Sequence, residues 1–199
     1  MSNGGQGELF APASPWPPGF AYRETFLAAA EEQDLLAEIG RLPLTEAQYR
    51  EWTAKRRTMS FGGSYDFTHQ TLHPAAPVPL FLHPLRARLA EWAGIDPAAF
   101  THGLIAEYQA GTQLGWHRDV PDFELVAGVS LGGMARMRFR PYPPKRELAR
   151  ATGFIDLLPR SAYLIRDAAR WHWQHAISPT KELRYSITFR TLRVGGAGL

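Results

Sequence analysis

The chain has 199 residues, 45% of them apolar and 21% charged, with a formal net charge of +3, an ordinary composition for one globular domain with a sizeable core. It contains no cysteine, which excludes disulfides, thiolate metal sites and cysteine nucleophiles. No apolar run is long enough to span a membrane, and the N-terminus lacks the charged-then-apolar pattern of a signal peptide, so a cytoplasmic, monomeric enzyme with no membrane partner is expected.

Residues 1–18 carry Gly4, Gly5, Gly7, Pro12, Pro15, Pro17 and Pro18 and read as a flexible tail, leaving 19–199 as a single domain. From Phe26, Leu27, Leu35, Leu36 and Ile39 fall on one stripe among acidic residues, which predicts an amphipathic helix to about Gly40, stopped by Pro43. A second helix is predicted from about Leu80 to Trp92, with Gly94 as its stop. Both are expected to buttress a sheet.

Between the two, Arg56 to Phe67 gathers two arginines, the Gly62-Gly63 pair and three aromatics, which also suits a twisted edge hairpin whose aromatics are core. From Thr101 onward, short strand-like runs alternate with turns at 103–108, 126–132, 134–140, 154–158, 163–165 and 184–192. Two helices ahead of so many short strands predict an α+β chain with a double-stranded β-helix, or jelly-roll, core. Residues 136–170 hold nine basic residues against three acidic ones, a local excess that fits contact with phosphates on the side of the barrel mouth and equally fits a solvated face.

The chemistry concentrates in Gly115-Trp116-His117-Arg118-Asp119. In extended chain, side chains two apart point the same way, so His117 and Asp119 can present an imidazole nitrogen and a carboxylate oxygen to one point. A distant His175 can complete a two-histidine, one-carboxylate facial triad, which leaves one face of an iron(II) ion open. Taken alone, His-x-Asp is a weak signal that more often marks a surface histidine beside a loop acid. The rival His172 sits between Trp171 and Trp173, a setting that suggests packing, and His69, His73, His83 and His102 read as surface or capping residues.

Near the C-terminus, Arg184, Ser186, Thr188 and Arg190 alternate with Tyr185, Ile187 and Phe189, the pattern of a half-buried strand. Its two arginine backbones lie about 20 Å apart at ~3.3 Å per residue. Their guanidiniums can therefore grip the ends of a short dicarboxylate, a role that suits arginine's planar fork and permanent charge.

The words Leu104-Ile105-Ala106-Glu107-Tyr108-Gln109-Ala110-Gly111, Trp116-His117-Arg118-Asp119, Val129-Ser130-Leu131-Gly132, His175-Ala176-Ile177 and Arg184 to Arg190, in this order, resemble the AlkB-like family of Fe(II)- and 2-oxoglutarate-dependent dioxygenases. The resemblance implies that His117, Asp119 and His175 bind iron. It implies that Arg184, with Ser186 and Tyr108, holds the far carboxylate of 2-oxoglutarate, and that Arg190 lies near its keto-acid end. The segment around Arg57 and Tyr65 is similar to the family's substrate lid, which makes these two the candidate substrate contacts. Two departures stand out: Ala106 replaces an asparagine that normally helps fix the co-substrate, and Pro121 stands where some nucleobase-repairing members carry an acid.

The reaction expected is hydroxylation by O2, with N-methyl groups then lost as formaldehyde from alkylated nucleobases in DNA or RNA. The same chemistry on a protein side chain or a small metabolite, or a non-catalytic binding protein on this fold, are the other readings.

Overall fold

A computed structural model describes residues 16–49, 52–66, 71–144 and 153–193. Most of the expected tail lies outside these residues, but its last part is docked: Trp16 meets Phe20 and Tyr22 edge-on at 5.9 and 6.3 Å, and the Pro18 carbonyl accepts the Ala169 N–H.

The described strands form two main antiparallel sheets and a small ribbon. The larger sheet runs, in spatial order, β1 (Phe20–Arg23), β11 (Ala162–Ile165), β8 (Phe123–Gly132), β13 (Arg184–Leu192), β6 (Phe100–Tyr108), β3 (Trp52–Phe61) and β2 (Thr45–Tyr49). The smaller runs β10 (Gly153–Leu157), β9 (Ala135–Pro141), β12 (Trp173–Ile177) and β7 (Leu114–His117). The Gly62-Gly63 segment leads into the ribbon of β4 (Gly63–Asp66) and β5 (Thr71–Pro74).

Alternation along the strands divides the core in two. Ile105, Val129, Leu131, Ile187 and Phe189 of the larger sheet pack on α1 (Ala29–Ile39) and α2 (His83–Ala93) through Leu35, Ile39, Leu85 and Leu89. The opposite face, through Ala106, Tyr108, Val126 and Tyr163, meets Met137, Phe139, Ile155 and Ile177 of the smaller sheet. The predicted helices thus buttress one side of a jelly roll. Glu31 opens α1 by accepting the Ala28 N–H at 2.7 Å, and Gly94 closes α2 with the left-handed turn its sequence position predicted, at φ 72°. A third, short helix, α3 (Asp167–Trp171), was not legible as one.

Two glycines are required by their surroundings. Gly128 pairs with Tyr163 across the β8–β11 ladder, and a Cβ there would stand 2.2 Å from the tyrosine ring. At Gly62, where β3 turns into β4, φ is +74° and a Cβ would lie 1.9 Å from the Thr101 carbonyl oxygen. Both the left-handed backbone and the clash oppose any side chain there. Gly62→Ala should therefore destabilise the fold by at least about 1 kcal/mol, read as a lowered Tm in thermal unfolding, whereas Gly94→Ala, which has open space around its Cβ and only the backbone penalty, should cost less.

Candidate metal centre

Strand pairing builds the site. On the smaller sheet His175 of β12 stands directly opposite His117 of β7, and both face inward. Their rings are 4.2 Å apart between centroids. Asp119, two residues after His117, turns its Oδ2 to within 3.8 Å of His175 Nε2. One donor atom from each of the three lies within 4.8 Å of the others, a set that can hold a metal ion.

The atoms around this set fix which donors face inward. His117 Nδ1 lies 2.9 Å from the Gly115 carbonyl, which can only accept, so the ring donates its proton there and leaves a bare Nε2. Arg190 of β13 donates Nε to Asp119 Oδ1 at 2.9 Å, which leaves Oδ2 for a metal. Burial alone would raise the Asp119 pKa, but Arg190, then His175 and His117, outweigh it and hold the carboxyl well below its usual range. Burial, reinforced by the neighbouring His117, pushes His175 down to about 3, and burial lowers His117 as well. The chemistry of the donor set, two neutral imidazoles and one ionised carboxylate with a free face, fits Fe(II).

The backbone carrying Asp119 is pinned by a residue that sequence reasoning placed in a surface patch. Arg170 of α3 is only 2% exposed, and it donates to the Val120 carbonyl at 2.6 Å and to the Phe123 carbonyl at 2.8 and 3.1 Å. His102 corrects a second expectation. It is buried against Phe123, with its Nδ1 3.4 Å from Arg190, and burial followed by the Arg190 charge lowers its pKa to about 3. Nothing in the local sequence of either residue marks it, because the partners come from distant strands.

A cavity of about 330 Å³ opens from the metal donors between the sheets. Arg184, Ser186 and Arg190 line it, as the alternation of β13 requires, and Tyr108 of the neighbouring β6 lines it with them. Arg184 is 1% exposed, donates Nε to Ser130 Oγ at 2.9 Å and lies 4.9 Å over the Tyr108 ring. Among the described residues it has no acidic partner, so an anionic ligand in this cavity fits it. Ala106 also lines the cavity and offers only a methyl group.

Arg57 does not join this group. On β3 the cavity face carries Arg56, Thr58 and Ser60, while Arg57 turns to the other face and pairs bidentately with buried Glu107 at 2.6 and 2.8 Å. The arginine that faces the cavity is thus one residue away from Arg57, which in a strand means the opposite side. The side chain of Tyr65 lies outside the described residues. His172 is exposed just after α3, away from the three converging donors.

The expected basic patch at the mouth is not formed by the described residues. Met137 of β9 faces the cavity, so the alternate Arg136, Arg138 and Arg140 occupy the outer face of the smaller sheet; Arg136 is paired to Asp156, and Arg138 and Arg140 lie over Trp116. Arg160 reaches Glu32, and Arg170 is buried. Arg118, between His117 and Asp119 in sequence, also borders the cavity and lies 3.7 Å over the Tyr142 ring. Lys145, Arg146 and Arg150 lie outside the described residues.

Comparison with known proteins places this arrangement. The model of the 2OG-Fe(II) oxygenase superfamily matches residues 22–190. An alkylated DNA repair protein ALKBH8 homolog of Arabidopsis thaliana is 28% identical over 183 residues, covering 80% of this chain and 51% of its own length. An uncharacterized protein, L905, of Acanthamoeba polyphaga mimivirus is 35% identical over 105 residues, 45% of this chain and 47% of its own. The chain thus spans about half the length of the curated relatives it matches. Among solved structures, OsALKBH1 superposes with a TM-score of 0.66 at 17% identity, over 87% of this chain and 97% of that one. A Pseudomonas putida prolyl-4-hydroxylase superposes with 0.58 at 16% identity, over 89% and 94%. Both likenesses are of fold.

The lowered histidines give a signed expectation. At pH 6 an ordinary imidazole carries about 0.75 of a proton, which a metal must displace. Here burial and the neighbouring His117 already hold His175 neutral, with its pKa at about 3, so binding of Mn(II) at pH 6 should release almost no proton from it. Calorimetry in buffers of different ionisation enthalpy measures this directly. Arg190→Met, which frees Asp119 Oδ1, should weaken Mn(II) binding by about 10- to 100-fold in the same titration.

Proposed function

The chain belongs to the 2OG-Fe(II) oxygenase superfamily, and from that membership we propose that it is an AlkB-like dioxygenase that removes N-alkyl groups from nucleobases in DNA or RNA. As a member of the superfamily it uses Fe(II), 2-oxoglutarate and O2. Together these supply the oxidation of a substrate C–H bond while 2-oxoglutarate leaves as succinate and CO2. The observation that carries the reading is the convergence of two neutral imidazoles and an ionised carboxylate in one cavity with a buried arginine that has no acidic partner among the described residues.

In this reading His117, Asp119 and His175 hold the iron, and Arg190 orients Asp119 while lying near the keto-acid end of the co-substrate. Arg184, Ser186 and Tyr108 take the far carboxylate. Apolar walls from Met137, Ile177 and Val126 keep water from the reacting centre. The nucleobase assignment draws on the similarity to a protein described as an alkylated DNA repair protein. Arg118 stacked on Tyr142 adds a cation beside a half-exposed aromatic face at the cavity border, a pairing suited to an unstacked base and its phosphate. Single-stranded or flipped substrate is favoured, because an alkylated base must leave the stack to reach the cavity.

One observation favours a second substrate class. Pro121, two residues after Asp119, gives the site no acid to read a base edge at that position, which suits a protein side chain or a small metabolite under the same chemistry. Succinate release from iron-loaded protein, assayed against methylated oligonucleotides, peptides and small molecules, separates the two. Turnover is expected with methylated single strands; stimulation by peptides or metabolites alone overturns the nucleobase reading. His117→Ala, Asp119→Ala and His175→Ala should each abolish the release, whereas His172→Ala should keep metal affinity within a few-fold of the parent. Loss of metal in His172→Ala with retention in His175→Ala would reassign the third ligand.

A further inference from the structure

Arg56 sits midway along β3, between β6 and the edge strand β2, and one step beyond the Arg57–Glu107 pair, which brings it against Tyr108 of β6 on the cavity face. Its NH1 lies 3.5 Å from the Tyr108 hydroxyl, and its Nε is buried with no hydrogen-bond partner. On the other side of Tyr108 lies the guanidinium of Arg184. Burial alone would raise the Tyr108 pKa, but the Arg56 and Arg184 charges outweigh it and lower the hydroxyl below its usual value, which reports how closely the two cations flank it.

Neither guanidinium is ion-paired to an acid among the described residues. Glu46, the acid that borders this end of the cavity, pairs in register with Arg57. Two cations gathered about one hydroxyl, with a buried donor left over, amount to a site short of a negative charge, because unpaired buried donors and charges are costly. Ala106, beside Tyr108 on the same face, contributes no polar atom that could compete.

We propose that Arg56 is a second guanidinium for the distal carboxylate of 2-oxoglutarate, which is thereby held from β3 and β13 together, one on each side of Tyr108. The inference rests on the reading of Arg184 as a co-substrate residue. Its consequence is that the co-substrate links β3 to β13 across β6, beside the Arg57–Glu107 pair that already joins β3 to β6. A phosphate of a nucleic acid substrate is the competing occupant.

The test is calorimetric titration of Mn(II)-loaded protein with 2-oxoglutarate and, separately, with 2-oxobutyrate, which keeps the keto-acid end and lacks the distal carboxylate. Arg56→Ala should weaken 2-oxoglutarate by roughly 10- to 100-fold and leave 2-oxobutyrate within about twofold, a difference that general loosening of the cavity would not produce. Arg56→Lys, which keeps the charge and loses the fork, should fall between, and it carries the same comparison if Arg56→Ala does not fold. Unchanged 2-oxoglutarate affinity in Arg56→Ala alongside a loss in Arg184→Ala overturns the role of Arg56 alone. Unchanged affinity in both overturns the reading of this end of the cavity as a co-substrate site. If Arg56→Ala weakens only a methylated oligonucleotide, Arg56 is a phosphate contact and the proposal fails.

Discussion

The ion pair between Asp119 and Arg190 joins the two sheets across the cavity, and the site depends on it. Asp119 follows the last residue of a strand in the smaller sheet, Arg190 lies in the middle of the larger, and the side chains are 7% and 12% exposed. A carboxylate buried to that degree without a cation would be protonated or displaced. With Arg190 in place it stays ionised, one oxygen is occupied, and the other is aimed at the two imidazoles. Arg190 is steadied in turn by Thr188 at 3.1 Å and lies beside a His102 kept neutral, so that imidazole adds no positive charge of its own next to the pair. From the far side Arg170 fastens the carbonyls that follow Asp119.

The neighbours Arg56 and Arg57 show how one backbone step decides the fate of a charge. Arg57 meets Glu107, which also accepts from Gln109 at 2.9 Å and from Tyr185 at 3.1 Å, so the outer face of β3, β6 and β13 is a satisfied polar network. Arg56, on the inner face of the same strands, has a tyrosine hydroxyl and another cation instead. The outer network can serve stability alone. The inner one is arranged for something that arrives.

This difference also marks the limit of what the sequence discloses. Alternation in Arg184 to Leu192 gave the strand and its two faces, because a period of two is visible in one segment. The same holds for His117 and Asp119, two apart at a strand end, and for Gly94, whose left-handed turn is a local requirement. Arg56 and Arg57 could not be told apart, since which parity faces inward is set by pairing with β6. Arg170 and His102 carried no local signal, because the carbonyls that hold Arg170 lie 47 and 50 positions away and the guanidinium beside His102 lies 88 away. The arginines of 136–170 formed one block in the sequence, and among the described ones the fold scatters Arg136, Arg138 and Arg140 over an outer sheet face, Arg160 into an ion pair with α1 and Arg170 into a buried clamp.

The chamber has its gauge at a residue with no side chain. Tyr163, whose hydroxyl burial pushes up and so keeps protonated, borders the cavity while its ring rests over Gly128 in the adjacent strand. The tyrosine can lie that flat only because nothing projects from position 128. A single methyl added there would stand 2.2 to 2.5 Å from the outer atoms of the phenol, so the tyrosine could not keep its place along the chamber wall. One wall of the chamber is thus set from β8, a strand that carries none of the three donors, which stand on or just after β7 and β12.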